Sequence, residues 1–215
     1  DDGQAVYGMG TFICITPVMR FLPDPPVMIA RGLNTEHHVL PGRYVSFLYN
    51  QGGILVKWYR DTFAAAEYRE AQKTGADVYA ALFAEIPADP ADVEVFPWFS
   101  STETPRFISS SSGVISGLKL GTRRGEILRG ILEGTTFYLR ECVETLPGTG
   151  IRVKEFRATG GGSKSSAWVQ ICADIMGVPF VRTRAAEAGV LGAAIIAGTG
   201  TGIFSSCEEG ACALV

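Results

Sequence analysis

The spacing of apolar residues changes several times along the chain, and each change predicts an element. Near the start, a run through Val6, Tyr7, Met9, Phe12, Ile13, Cys14 and Ile15 reads as a strand over residues 6–16, bent early by glycine. A proline-rich loop over residues 17–26 is expected after it. A Tyr/Val/Phe/Leu/Tyr run over residues 43–50 predicts another strand. Gly52 and Gly53 then lead into Ile54, Leu55, Trp58, Tyr59 and Phe63, whose spacing is helical. Alanines together with Pro87 and Pro90 predict a short helix and a loop over residues 74–92, ahead of an apolar run at 93–99. Residues 100–112 are too serine-rich for a core and predict a surface loop or insertion.

The longest periodic stretch covers residues 122–146. Ile127, Leu128, Ile131, Leu132, Thr135, Leu139, Cys142, Val143 and Leu146 hold the i, i+3, i+4 pattern, which predicts one long helix. Thr122 is placed as its N-cap, and Pro147-Gly148 stops it. Beyond it the pattern predicts a strand over 153–159, a helix over 165–176, a strand over 178–182 and a glycine- and alanine-rich helix over 188–197. Strand and helix alternating in this way belong to α/β folds.

Composition narrows the function classes. With 215 residues, 47% of them hydrophobic, the chain can bury a substantial core in one large domain or two small ones. A net charge of -3 gives no broad basic field, so nucleic acid and a polybasic membrane contact are not indicated, and any phosphate is expected to be bound locally. The longest apolar run, residues 189–198, is too short to span a bilayer, and nothing at the start reads as a signal peptide. Five scattered cysteines lack a C-x-x-C pair or a nearby histidine cluster. Reduced, mostly buried thiols in a cytoplasmic protein are expected, with no metal site and with Cys142 and Cys172 on apolar helical faces. Both ends break off abruptly, so a single domain over residues 1–215 cut from a longer protein is expected, with Asp1 and Asp2 belonging to an edge or linker.

Candidate chemistry centres on Thr159-Gly160-Gly161-Gly162-Ser163-Lys164-Ser165, between a strand pattern and a helix pattern. Glycines without Cβ let a ligand approach the backbone, and a following helix offers unpaired N–H groups and the positive end of its dipole. A tight strand-to-helix turn accounts for the same residues. Two well-known motifs are excluded. A P-loop needs glycine directly before Lys164-Ser165, where Ser163 stands, and the dinucleotide fingerprint fails at Ser165 and lacks its acidic residue. Gly52-Gly53 is a second junction of the same type, which suggests a ligand gripped from two sides.

Three motifs resemble the FGGY carbohydrate kinases, a family that includes xylulokinase and glycerol kinase, in their C-terminal domain. The first is Gly113-Val114-Ile115-Ser116-Gly117-Leu118, a seven-residue gap, Glu126-Ile127, then Gly130-Ile131-Leu132-Glu133-Gly134. Gly130 stands where the family usually has Ala or Ser, a change that weakens a helix by about 1 kcal/mol and marks close packing. The second runs from Thr159 to Gln170 and on through residues 173–179, and is similar to the family's adenosine motif. The third, Glu187-x-Gly189-x-x-Gly192-Ala193-Ala194, is expected to be a helix set close to the sheet by its small residues.

The resemblance implies an α/β fold of the actin-like ATPase (ribonuclease H-like) type, a mixed sheet flanked by helices. It implies ATP with Mg²⁺, and a sugar or polyol substrate, with a pentulose such as xylulose favoured by the texture of His38-Val39-Leu40-Pro41-Gly42. Gly161 and Gly162 would present backbone to adenosine and the α-phosphate, and valine at either is expected to block nucleotide while leaving the fold mostly intact. Ser165 stands where glycerol kinase has an adenine-contacting Asn. Gly53 would lie at the nucleotide, and Lys57 occupies a Gln position, either pairing with a phosphate oxygen or snorkelling off its helix. Gly8-Met9-Gly10-Thr11 is similar to a phosphate-contacting turn, with Gly10-Thr11 the favoured register and Gly8-Met9 the alternative.

The family's general base is an Asp upstream of that turn, in an N-terminal sugar-binding domain, so no catalytic residue is assigned in this chain and the chain alone is expected to be inactive. Two other classes compete. One is a non-catalytic actin-like nucleotide-binding or assembly module. The other takes every glycine as a turn and the domain as a dimerisation unit, which leaves a homodimer open.

Overall fold

Alternation at period two builds the first hairpin of the computed structural model, which describes residues 3–102, 106–185 and 187–215. Asp1 and Asp2 lie outside the described residues. In β1 (Gln4–Met9) and β2 (Phe12–Met19) every second residue is buried, so Ala5, Tyr7 and Met9 share a face with Ile13, Ile15 and Met19. The chain continues through α1 (Pro25–Ala30), β3 (Glu36–His37), β4 (Tyr44–Val45), β5 (Leu48–Gln51), α2 (Gly53–Phe63), α3 (Ala65–Thr74) and α4 (Val78–Ala84). It then forms β6 (Glu94–Phe96), β7 (Val114–Ser116), α5 (Arg124–Glu144), β8 (Glu155–Thr159), α6 (Ser166–Met176), β9 (Phe180–Arg182), α7 (Ala188–Gly200) and α8 (Cys207–Leu214).

Seven strands make one mixed sheet in the order β3-β4-β2-β1-β8-β9, with β5 also paired to β2. The β1, β2, β4 and β5 pairings are antiparallel, whereas β1 with β8 and β8 with β9 are parallel. A parallel return needs a long crossover, and α5 with its 21 residues supplies it into β8. Strand β2 runs on through Pro17, where a loop was expected. Pro17 falls between the last pair with β5 (Ile15 with Leu48) and the first with β4 (Val18 with Val45), a gap where a residue without N–H costs little.

The core lies between the buried face of the sheet and α5 with α6. Leu128, Ile131, Leu132 and Leu139 of α5 and Trp168, Ile171 and Cys172 of α6 are buried there with Tyr7, Ile15 and Phe156. Each such aliphatic side chain contributes about 1.5–3 kcal/mol when removed from water. The other side of α5 is shaped by glycine. A Cβ on Gly130 would stand 2.5 Å from the Val93 carbonyl oxygen, and one on Gly125 or Gly134 would meet the Glu85 or Val95 carbonyl closer still. Gly130 therefore does mark close packing: β6 leans directly on the helix backbone.

Several expected details are corrected. α5 begins at Arg124, not at Thr122: the Glu126 carboxylate accepts from the Arg123 N–H at 2.7 Å, while the Thr122 hydroxyl accepts from the Lys119 N–H at 2.9 Å and closes the turn before it. α7 does not set Gly189 and Gly192 against the sheet, since a Cβ on either would have no neighbour within 4 Å. The close approach is to α8, where Phe204 fills the space beside Gly198 and Gly210. All five cysteines are free thiols, but only Cys142 and Cys172 are buried: Cys14 lies on the less buried face of β2, and Cys207 and Cys212 ride on α8. Burial pushes the Cys142 thiol up to about 12 and Cys172 up to about 11, which keeps both neutral and inert. Among the described residues, no helix is long and apolar enough to cross a membrane.

Candidate functional site

Three turns and one short helix enclose a cavity of about 670 Å³, a size usual for small-molecule sites. The β1–β2 turn supplies Met9, Gly10 and Thr11. The start of α2 supplies Gly53, Ile54 and Lys57, and the turn before α6 supplies Gly161, Gly162, Lys164 and Ser165. Thr11, Gly53, Lys57, Gly161, Gly162 and Ser165, drawn from three segments of the sequence, thus meet in one place. Gly8 is held inside the ladder opposite Cys14 and Thr159, whereas Met9, Gly10 and Thr11 all line the cavity.

The first glycine junction is filled from within. A Cβ on Gly53 would stand 2.5 Å from the Gly10 carbonyl oxygen, and one on Gly52 would stand 2.4 Å from the Ile13 side chain. The N–H groups at the start of α2 are consumed by the same turn: Gly53 donates to Gly10 O at 2.9 Å, and Gly52 and Ile54 donate to Thr11 O at 3.3 and 2.9 Å. These are the donors a helix N-terminus would otherwise offer to an anion. Gly53 therefore locks the β1–β2 turn onto α2.

The second junction is open at one residue. Gly160, at φ 86°, takes a left-handed bend that brings its Cα against Met9, where a Cβ would stand 2.9 Å from the Met9 carbonyl oxygen. Gly161–Lys164 then form a 3-10 turn, with Ser163 N–H on Gly160 O and Ser165 N–H on Gly162 O, both at 3.1 Å. By the register of that turn, the Gly161 and Gly162 N–H groups have no partner inside it. A Cβ on Gly161 would have nothing within 4 Å, so this residue faces free space in the cavity wall. Gly162 differs: a Cβ there would press on the Trp168 ring at 2.7 Å and on Met9 at 2.9 Å. Valine at Gly162 is thus a packing change, contrary to the expectation that it would leave the fold mostly intact.

Side chains complete the wall. Ser165 caps α6, its hydroxyl oxygen accepting from the Trp168 N–H at 3.2 Å, which leaves its O–H proton and one lone pair for other partners. Lys57 Nζ donates to Asp61 at 2.8 Å, an exposed i, i+4 pair. Lys164 brings a second cation. Helix α4 adds Tyr79, Ala80 and Phe83, and its N-cap Asp77 accepts from the Tyr79 and Ala80 N–H groups. Phe83, partly buried, gives this wall an aromatic surface, and the buried Trp168 ring packs 5.9 Å from it, centroid to centroid. Sequence reading missed α4 as part of the site; the available signal was Asp77 ahead of Val78 and Leu82 one turn apart.

A larger concavity of about 880 Å³ lies elsewhere, along β6, α5 and α6. Its arginines are already engaged, Arg106 with Glu141, Arg129 with Glu133 and Arg140 with Glu144, and none of the glycine turns opens onto it. Size alone does not make it the site.

Comparison with known proteins gives a consistent picture. The family model described as the FGGY family of carbohydrate kinases, C-terminal domain, matches residues 5–201. Glycerol kinase 2 of Streptomyces avermitilis is 30% identical over 217 aligned positions, covering 97% of this chain and 40% of the relative. The chain thus spans about 40% of the length of such curated relatives. Among solved structures, a xylulose kinase from Rhodospirillum rubrum matches with TM-score 0.72 at 25% identity, over 98% of this chain and 41% of the other. Plasmodium falciparum glycerol kinase with ADP matches with TM-score 0.74 at 23% identity, over 97% of this chain and 40% of the other. These likenesses show the expected actin-like fold, a mixed sheet flanked by helices.

Proposed function

The chain belongs to the FGGY family of carbohydrate kinases, and on that premise we propose that it is the ATP-binding half of an enzyme that moves the γ-phosphoryl group of ATP to a sugar or polyol hydroxyl. The observation that carries this reading is Gly161, open to a cavity that also holds Thr11, Gly53, Lys57, Gly162 and Ser165. An open glycine in a turn whose own hydrogen bonds leave its N–H unused suits a phosphate or ribose lying against the backbone. Phe83, backed by the buried Trp168 ring, suits a flat base, and Lys57 and Lys164 suit negative charge. Gly53 and Gly162 act by holding the two turns in place, Thr11 offers its hydroxyl at the phosphate end, and Ser165 offers its one free proton.

Phosphoryl transfer asks little covalent chemistry of a protein, so positioning, water exclusion and charge stabilisation carry the catalysis. Mg²⁺ would arrive with the triphosphate and neutralise it. Among the described residues no group of three His, Cys, Asp or Glu side chains is placed to hold a metal ion. The base that takes the hydroxyl proton is assigned to a domain outside residues 1–215, so this chain alone is expected to turn over nothing. The free thiols fit a reducing compartment such as the cytoplasm.

For the substrate, the His38 to Gly42 segment supports a pentulose such as xylulose, whereas the likeness to glycerol kinases supports a polyol. The test is product formation by the full-length protein from Mg-ATP with xylulose, other ketoses and glycerol. A phosphorylated sugar or polyol is expected. ATP binding without any phosphorylated product would favour a non-catalytic actin-like module instead.

A further inference from the structure

Asp61, at the end of the second turn of α2, is bonded on both sides. One carboxylate oxygen accepts from Lys57 Nζ at 2.8 Å, and the other accepts from Arg60 Nε and Nη2 at 2.8 and 2.6 Å. The remaining guanidinium nitrogen, Arg60 Nη1, donates to the Tyr79 hydroxyl at 2.7 Å, and the guanidinium carbon lies 3.6 Å from the Tyr68 ring centroid. Arg60 is only 7% exposed. A continuous line of contacts therefore runs from Lys57 through Asp61 and Arg60 to Tyr79. Both of its ends line the cavity, although Asp61 and Arg60 do not.

The two halves of this line differ in strength. The Lys57 pair is exposed and spans one helical turn, a type of contact that is weak in water. A polyphosphate can draw Lys57 away from Asp61 at small cost. The Arg60 half is sequestered, doubly bonded and stacked, and breaking it leaves a buried cation without its counter-charge. Asp61 thus releases one partner and keeps the other.

We propose that Asp61 is a positioning residue of the nucleotide cavity: through Lys57 it sets the reach of a cation on the phosphate side, and through Arg60 it fixes Tyr79 on the wall where the base stacks. This rests on the ATP reading above. The two links make opposite contributions when the carboxylate is removed, which distinguishes positioning from general damage. Freed Lys57 strengthens the phosphate contribution, while unfixed Tyr79 weakens the base contribution.

The experiment measures adenosine and ATP affinity of the purified protein by calorimetry, in wild type and in Asp61→Asn, Lys57→Ala, Tyr79→Phe and Asp61→Asn/Lys57→Ala. Asp61→Asn is expected to weaken adenosine about fivefold, the scale of one lost hydrogen bond, while the ATP-to-adenosine affinity ratio rises about twofold to threefold. Lys57→Ala should leave adenosine unchanged and lower the ratio. Tyr79→Phe should weaken adenosine and leave the ratio as in wild type, and the double variant should lose the rise in ratio. An unchanged ratio in Asp61→Asn, or a rise that persists without Lys57, overturns the proposal. If Asp61→Asn does not fold, the other two single variants still decide: adenosine binding indifferent to Tyr79→Phe, or a ratio indifferent to Lys57→Ala, overturns it. A wild-type protein that binds neither adenosine nor ATP overturns the nucleotide reading itself.

Discussion

The two glycine junctions look alike in sequence and do different work in the fold. At Gly52-Gly53 the first N–H groups of α2 are spent on the carbonyls of Gly10 and Thr11, and there is no room for a Cβ at either glycine. At Gly160 to Gly162 the outer two glycines are needed for close contact with Met9 and Trp168, but the central one, Gly161, faces open space. A glycine pair before a helix is therefore no measure of anion binding. What decides is where the N–H groups go and what a side chain would strike.

That contrast can be broken most directly at Gly53. Gly53→Ala should destabilise the chain by about 1–3 kcal/mol, because a backbone carbonyl cannot swing aside as a flexible side chain would, and Gly162→Val should fall in the same range against Trp168. Chemical denaturation checks both, and a loss within error at Gly53 would show that the first junction is not locked. Gly161→Val should behave in the opposite way, with stability within about 0.5 kcal/mol of wild type and ATP affinity lower by at least about tenfold. Retained affinity would mean that the second junction is only a turn.

The smallest effect is acid-dependent. Lys57, and after it Arg60, holds the Asp61 carboxyl below the usual carboxylate range. A depressed folded-state pKa contributes stability that is present above the unfolded value of 3.8 and is lost as pH falls through the folded value. The stability difference between wild type and Asp61→Asn should accordingly shrink below that pH. A difference constant across the acid limb would show that the Asp61 pairs with Lys57 and Arg60 add nothing to stability.

Much of this was readable from residue order. The single bent strand expected over residues 6–16 is in fact a hairpin, β1 and β2, folded back at Gly10-Thr11, while the i, i+3, i+4 pattern marked α5 and six residues chosen from three segments converge on one cavity. The N-cap signal at Asp77 marked α4 as a helix but not as a wall of the site, because Tyr79 is fixed there by Arg60, nineteen positions away, and no periodicity encodes a contact of that kind. The difference between Gly161 and Gly162 was equally hidden. Neighbours in sequence, they diverge only because Trp168 turns its ring towards one of them. The small residues of α7 misled for a related reason: a Gly-rich face says that something comes near without saying which element it is.

The three glycines along α5 carry a consequence for heritable change and for peptides. Each costs about 1 kcal/mol of intrinsic helix preference relative to alanine, yet Gly125, Gly130 and Gly134 each lie against a carbonyl of a neighbouring segment. Cut from the protein, the 21-residue segment should be mostly unstructured in water. The longest helix among the described residues is thus held by the segments that pack against it, and mutation towards better helix formers at these three sites is closed to it.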